Sequence, residues 1–246
     1  MTSIKICVGI VTYNPNIEQL INNISEVTDQ VDKIYIVDNA SYNYKDILKS
    51  MPNNVKIRHN LKNRGIATAL NQLCKLAYDM GFDWCLTLDQ DSLCPKNLIC
   101  HLSEYCKEDV AIVSPNIIYK DNEKYCIKKT GIEEVDWVIT SASLTNLKIW
   151  KLIKFDDALF IDGVDRDYCI RAKKMNYKII KDYDVELIHE LGNLKCSKLF
   201  GRTIYVTYHS NFRKYYMVRN RIYLDKKLKE KRAIISVFKI LFKTII

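Results

Sequence analysis

Apolar residues along this chain fall into short runs that end in polar clusters, and the rhythm repeats through the first hundred positions. Residues 4–12 (Ile-Lys-Ile-Cys-Val-Gly-Ile-Val-Thr) read as a strand buried on both faces. Behind Asn14-Pro15-Asn16, which opens a helix, Ile17, Leu20, Ile21 and Ile24 recur at helical spacing. Ile34-Tyr35-Ile36-Val37 is a second strand closing on Asp38-Asn39, and Val55–Arg58 is a shorter third. From Gly65 to Met80, Ile66, Leu70, Leu73, Leu76 and Ala77 mark one helix face, and Gly81 stops it. Leu86-Thr87-Leu88 then runs straight into Asp89-Gln90-Asp91-Ser92.

Strands alternating with helices predict an α/β fold with a mostly parallel central sheet covered on both faces. Ligands of such sheets gather beyond the carboxyl ends of the strands. Thr12-Tyr13-Asn14, Asp38-Asn39 and Asp89-Gln90-Asp91 all fall there, so three polar clusters share one edge. Further on the rhythm changes. Val110–Tyr119 reads as another strand, while Tyr125–Ile127 and Trp137–Thr140 read as antiparallel strands around Gly131. Asp162-Gly163-Val164-Asp165-Arg166-Asp167 begins a helix through Lys174, and Lys178–His189 is a last extended stretch. A parallel front half for a donor and a mixed rear half for an acceptor is the expected organisation.

Composition narrows this picture. A chain of 246 residues, 48% hydrophobic with seven Gly and four Pro, suits one α/β domain with a short appendage, and no linker or repeat divides it. Nine cysteines without Cys-x-x-Cys spacing, several inside apolar runs, point to a reducing compartment and away from structural zinc. Met1–Lys5 enters the first strand without the pattern of a secretory signal, so a cytoplasmic protein is expected. The formal charge of +9 is uneven: Lys226, Lys227, Lys229, Lys231, Arg232, Lys239 and Lys243 face only Glu230 at the carboxyl end. From Lys229 onward, basic residues recur at three- and four-residue steps opposite Ile234, Ile235, Val237, Phe238, Leu241, Phe242 and Ile245. Residues 223–246 thus read as a basic amphipathic helix, following a catalytic domain over 1–222. Such a helix is too short and charged to span a bilayer and suits an anionic membrane surface; packing on its own domain or on a second subunit in a homodimer is the alternative. The body lacks a basic face with interleaved aromatics, which argues against nucleic acid.

Two carboxylates one residue apart at a strand end suit a hard divalent cation, Mg²⁺ or Mn²⁺, which takes its other ligands from water and phosphate. Asp89 and Asp91 are expected to share a face there, as alternate strand residues do. Their cargo would be a diphosphate, whose departure the ion would ease. Asp165 is the candidate for the second carboxylate, a general base that deprotonates an incoming hydroxyl, with Asp162 and Asp167 as neighbours that orient it or compete. Helix capping or simple solvation is the plainer account of all three. No Gly-x-Gly-x-x-Gly follows a strand, which disfavours a dehydrogenase; a glycoside hydrolase would use two carboxylates without a diphosphate site.

Taken in order, Val11-Thr12-Tyr13-Asn14, Val37-Asp38-Asn39-Ala40-Ser41, Asn63-Arg64-Gly65-Ile66-Ala67 with Asn71, Leu88-Asp89-Gln90-Asp91-Ser92, and Phe160-Ile161-Asp162-Gly163-Val164-Asp165 with Cys169 and Arg171 resemble the family 2 inverting glycosyltransferases. The likeness is greatest to the bacterial rhamnosyltransferase-like branch and runs from about residue 5 to about residue 220. It implies a GT-A fold that moves a sugar from a nucleotide diphosphate with inversion. Thr12, Tyr13 and Asn14 would line the nucleoside pocket with Asp38 on the pyrimidine base and Asn39 beside it. Arg64 and Gly65 would lie near ribose and phosphates, Asp89 with Gln90 and Asp91 would manage the metal and donor, and Asp165 would be the base. His189, in Leu187-Ile188-His189-Glu190-Leu191-Gly192, resembles the family's late histidine near metal and diphosphate. Arg171 matches a recurrent basic residue, or pairs a helix carboxylate. Arg213 or Arg219 would offer phosphate a charged fork, and the aromatics at Phe212, Tyr215, Tyr216 and Tyr223 serve equally as a helix core stripe.

Two segments depart from the pattern: Ala142 stands where relatives often have Gly, and Leu152–Asp157 lacks the usual Gly pair before Phe. Both border the acceptor side. The expectation is a peripheral enzyme on the inner face of the bacterial plasma membrane. It would transfer rhamnose from dTDP-rhamnose to a glycan or lipid-linked saccharide in surface polysaccharide synthesis. A UDP-hexose-dependent transferase and a non-catalytic sugar-nucleotide-binding scaffold are the alternatives.

Overall fold

The computed structural model describes residues 4–119, 129–189, 194–199, 202–207 and 209–229. Strand β1 (Ile6–Thr12) leads to helix α1 (Ile17–Thr28), β2 (Ile34–Asp38), α2 (Tyr44–Ser50), β3 (Val55–His59), α3 (Ile66–Asp79) and β4 (Trp84–Asp89). Then come α4 (Leu98–Ser103), β5 (Val110–Tyr119), β6 (Ile132–Glu134), β7 (Ser143–Asn146), α5 (Leu147–Ile153), α6 (Val164–Lys174) and β8 (Lys178–His189). The hairpin β9 (Leu194–Leu199) and β10 (Arg202–Thr207) and the long helix α7 (Asn211–Leu228) complete the described chain.

Eight strands form one sheet in the order β3-β2-β1-β4-β7-β5-β8-β6. β3, β2, β1 and β4 run parallel; β7 is antiparallel to both β4 and β5, so β5 and its parallel neighbour β8 share the direction of β4. Strand periodicity sorts the core into two layers, because successive side chains leave opposite faces of the sheet. Val8, Ile10, Ile34 and Ile36 pack with α1, α2 and α4, whereas Cys7, Tyr35 and Val37 pack with α3, α5, α6 and the end of α7. Both faces are covered, as the near-continuous apolar strands require.

The rear half differs from the sequence reading in one place. Trp137–Thr140 is not a strand: it turns, its Thr140 carbonyl accepting from Thr87 Oγ1 at 2.6 Å, and the antiparallel strand is Ser143–Asn146. Those four residues, Ser-Leu-Thr-Asn, are buried between β4 and β5 with only one apolar side chain among them, so no apolar run marks the strand. The edge strand beside Gly131 is Ile132–Glu134, and Tyr125–Ile127 lies outside the described residues. Helix α7 passes unbroken through position 222, where the sequence suggested the domain closes, because Leu224 and Leu228 are buried in the core and Lys227 reaches Asp167 at 2.7 Å. Residues 230–246, which carry most of the expected amphipathic helix, lie outside the described residues.

Candidate active site

At the carboxyl edge of the sheet, a buried carboxylate and neutral side chains tie the front loops together. Asp38 ends β2 and is 0% exposed. Oδ1 accepts from Thr12 Oγ1 at 2.9 Å and from the Ser41 hydroxyl, and Oδ2 accepts from Ser41 N at 3.1 Å and lies 2.7 Å from His59 Nδ1. A carboxylate has about four lone-pair sites, and all are taken. Asp38 therefore organises the loops after β1 and β2, and a base contact by its oxygens requires one of these bonds to be exchanged. Asn14, at φ 49°, completes the joint: its N–H donates to Ser41 Oγ at 2.8 Å and its Oδ1 accepts from Tyr42 N at 3.0 Å.

Asn39 plays the same part for the loop before α3. Its Oδ1 accepts from Arg64 N at 2.9 Å, and its Nδ2 donates to Asn63 Oδ1 at 2.9 Å. The buried amide thus shapes the loop, and the exposed Arg64 side chain is what the loop presents. Gly65 sits at φ 80°, where a Cβ would come within 2.6 Å of the Phe160 carbonyl. Ile66 N donates to that same carbonyl at 2.7 Å, which brings the donor loop against the segment leading to Asp165.

The acidic turn follows β4. Asp89 is half-buried; its carbonyl accepts from Asn23 Nδ2 at 2.8 Å. Gln90 Oε1 accepts from Tyr13 N at 2.8 Å, so Gln90 holds the β1 and β4 loops together. The strand stops at Asp89 and Ser92 N turns back to the Asp89 carbonyl at 3.3 Å, so Asp91 is an exposed turn residue rather than the next same-face strand position. Among the described residues no three His, Cys, Asp or Glu side chains converge as a metal cage. The imidazole of His189 lies outside the described residues, but Ile188 bridges Leu93, so the backbone of β8 ends beside the acidic turn.

The three carboxylates at the start of α6 have different fates. Asp167 is 0% exposed and bound by Arg171 at 2.6 Å and Lys227 at 2.7 Å. Asp162 is bound by Arg213 at 3.0 Å. Asp165 instead accepts from the Thr140 hydroxyl at 2.8 Å. Burial pushes its pKa up to about 6; the Thr140 bond opposes the rise, and the negative charges of Asp89 and Asp162 add to it. Asp89 and Asp165 are thus close enough for their charges to interact. Gly163, at φ 82°, is the left-handed turn that starts the helix, and Asn220 of α7 locks that turn by donating to the carbonyls of Ile161 and Asp162 at 2.7 and 2.9 Å.

Arg171, which also donates to the carbonyls of Ile153 and Lys154, pairs a helix carboxylate, the second of its two readings. Arg213 and Arg219 are likewise engaged at the 158–162 loop, on Asp162 and on the Ala158 carbonyl. Sequence reasoning missed Asn23, His59 and the role of Thr140. A polar residue on the apolar face of a helix, as Asn23 is on the face of Leu20, Ile24 and Val27, was the signal available.

Comparisons with known proteins agree with this arrangement. The sequence model of Glycosyl transferase family 2 matches residues 7–183. The chain is 32% identical over 239 residues to the dTDP-rhamnosyl transferase RfbF of Shigella flexneri, covering 89% of this chain and 79% of that protein. Among solved structures, GalNAc-T7 with UDP, GalNAc and Mn²⁺ superposes with a TM-score of 0.63 at 14% identity, over 80% of this chain and 44% of that one. S. aureus TarS 1–349 in complex with UDP-GlcNAc superposes with a TM-score of 0.60 at 16% identity, over 98% of this chain and 72% of that one. The fold is thus that of the GT-A enzymes, although the chain spans less than half of the GalNAc-T7 chain. The chain belongs to glycosyl transferase family 2, in its rhamnosyltransferase-like branch, and is a glycosyltransferase that uses a nucleotide sugar.

Proposed function

We propose that the protein transfers rhamnose from dTDP-rhamnose, with inversion, to a glycan or lipid-linked saccharide acceptor of bacterial surface polysaccharide. The observation that carries the reading is the state of Asp165, the one carboxylate at the start of α6 held by a hydroxyl rather than a cation. A base must be ionised at working pH yet basic enough to take a proton, and a carboxyl raised to about 6 meets both needs. Attack by the acceptor oxygen at the anomeric carbon, on the face opposite the diphosphate, transfers the hydroxyl proton to Asp165 and gives inversion.

The hard oxygens of Asp89 and Asp91 fit Mn²⁺ or Mg²⁺, which needs only one or two protein carboxylates when phosphate completes its shell. The negative charge that Asp89 imposes on Asp165 is a field such an ion would relieve. When bound, the ion supplies charge neutralisation on the departing diphosphate. His189, at the end of β8, would join it. Thr12, Tyr13 and Asn14 would border the nucleoside in the loop that Asp38 and Gln90 hold, with Asn39 setting Arg64 and Gly65 near the phosphates. The dTDP-rhamnosyl transferase named above favours this donor; the UDP sugars of the solved neighbours belong to those proteins and keep a UDP-hexose as the rival.

The catalytic domain would take in the buried Leu224 and Leu228 of α7, and the rest of the basic segment expected over 223–246 would rest on the anionic inner face of the plasma membrane or on a second subunit. Among the described residues no helix is long and apolar enough to cross a membrane. Thermal stabilisation by a panel of nucleotide sugars with Mn²⁺ tests the donor: dTDP-rhamnose gives the largest shift, and a clear win by a UDP-hexose overturns rhamnose. Asp165→Asn tests the enzyme, since a scaffold would be indifferent to it.

A further inference from the structure

Four aromatic rings cluster beside the loop that carries Asp165. Phe160 stacks on Tyr216 with centroids 5.1 Å apart at 21°, and Phe212 meets both rings edge-on at 5.6 and 5.0 Å. Tyr215 abuts Tyr216 at 5.2 Å. The inner pair is anchored, since the Phe160 backbone is bound to the start of α3 and the Tyr216 ring lies under the Arg219 guanidinium at 5.8 Å. The outer pair is open: Phe212 is 57% and Tyr215 63% exposed. A stripe that served only the core would be buried, whereas the buried residues of α7 are Asn220, Leu224, Asp225 and Leu228.

We infer that Phe212 and Tyr215 form the stacking platform for the acceptor saccharide, a subsite that rests on the reading of Asp165 as the base. The occupant follows from position and chemistry. Arg213, between the two rings in sequence, forks onto Asp162, three residues before Asp165, so the platform and the base move as one piece. A base that takes the acceptor proton must face the acceptor, and the surface rigidly joined to it is where the rest of that sugar lies. Pyranose rings carry one face of C–H bonds and a rim of hydroxyls. An aromatic face flanked by phenol and guanidinium groups matches both, as amphipathic aromatics do at binding surfaces. Preformed ring contacts remove rotamer entropy from the binding step.

The test uses the full chain with dTDP and Mn²⁺ and a panel of methyl glycosides of rhamnose, glucose, galactose and N-acetylglucosamine. Saturation transfer from protein aromatic protons should reach the ring C–H protons of at least one glycoside. Phe212→Ala and Tyr215→Ala should each weaken that glycoside roughly tenfold, whereas Phe212→Tyr and Tyr215→Phe retain it and dTDP stabilisation is unchanged in all four. Loss of glycoside binding by none of the variants, or no saturation of any glycoside on the unmodified protein, overturns the platform. So does a variant that keeps glycoside binding and instead loses binding to phosphatidylglycerol vesicles, which makes the patch a lipid contact. Glycoside binding at the rings without stabilisation by dTDP supports the platform while removing the donor reading on which the transfer rests.

Discussion

The two sides of the candidate site are held by different forces. Beside β1, β2 and β4, mostly neutral groups fix the loops around the buried Asp38, which also meets His59: the Asn39 amide, the Gln90 amide and the hydroxyls of Thr12 and Ser41 satisfy backbone and carboxylate alike. Around α6 and α7, ion pairs do it, with Asp162 on Arg213, Asp167 on Arg171 and Lys227, and Asp156 on Lys227. The exceptions on each side are Asp89 with Asp91, set in an open turn, and Asp165, set under a hydroxyl. These carboxylates stand apart from the ion pairs that hold Asp162 and Asp167.

The largest effect should come from removing the rear exception. Asp165→Asn keeps the Thr140 bond and deletes the proton acceptor, so transfer should fall by about 10²–10⁴ while dTDP stabilisation stays within experimental error; a normal rate would erase the distinction between Asp165 and its neighbours. Removing the front exception acts on binding. With nucleotide at about a hundred times its dissociation constant, linkage stabilises by about 2.7 kcal/mol, and Asp89→Ala should lose most of that shift and its response to Mn²⁺ in a melting experiment.

Breaking an ion pair rather than an exception should change stability and spare chemistry. Lys227→Met leaves Asp167 buried with Arg171 alone, and about 2 kcal/mol should be lost in urea unfolding, with the donor affinity intact. Gln90→Ala is the mildest test: it frees the Tyr13 N–H, and about 1 kcal/mol should separate the urea midpoints, with a weaker nucleotide as the specific sign.

Much of the front half was legible because both faces of its strands are buried, which makes strands such as Ile34–Val37 apolar without interruption and leaves polar residues only at their ends. The site inherits that clarity, since Asp38, Asp89 and Asp165 all stand at element boundaries. What stayed hidden is tertiary. Nothing in Asp38 or Asn39 says that their acceptors are filled by Ser41, His59 and Arg64, residues brought in by other loops. Nor does Trp137–Thr140 announce that its polar atoms bond to Thr87 and Asp165 instead of a sheet ladder. β7 was missed for a related reason: its buried positions in the sheet centre are filled by the polar Ser143 and Thr145, so hydrophobicity does not report their burial.

The most direct test is the pH dependence of kcat/KM for the acceptor, measured with dTDP-rhamnose and Mn²⁺. Asp165 holds its proton more tightly folded than an ordinary Asp at 3.8, so activity should rise with pH through about 6 and level off above it. Over the same interval the folded state binds the extra proton, so this group's contribution to stability falls as pH rises. Burial is the largest cause of the rise and a bound ion relieves only the lesser contribution of Asp89, so the acid limb stays well above that of an ordinary Asp. In Asp165→Asn the limb should vanish together with the rate, while dTDP still stabilises the protein. An acid limb near 4, or an Asp165→Asn enzyme with the unmodified rate and profile, would contradict the account.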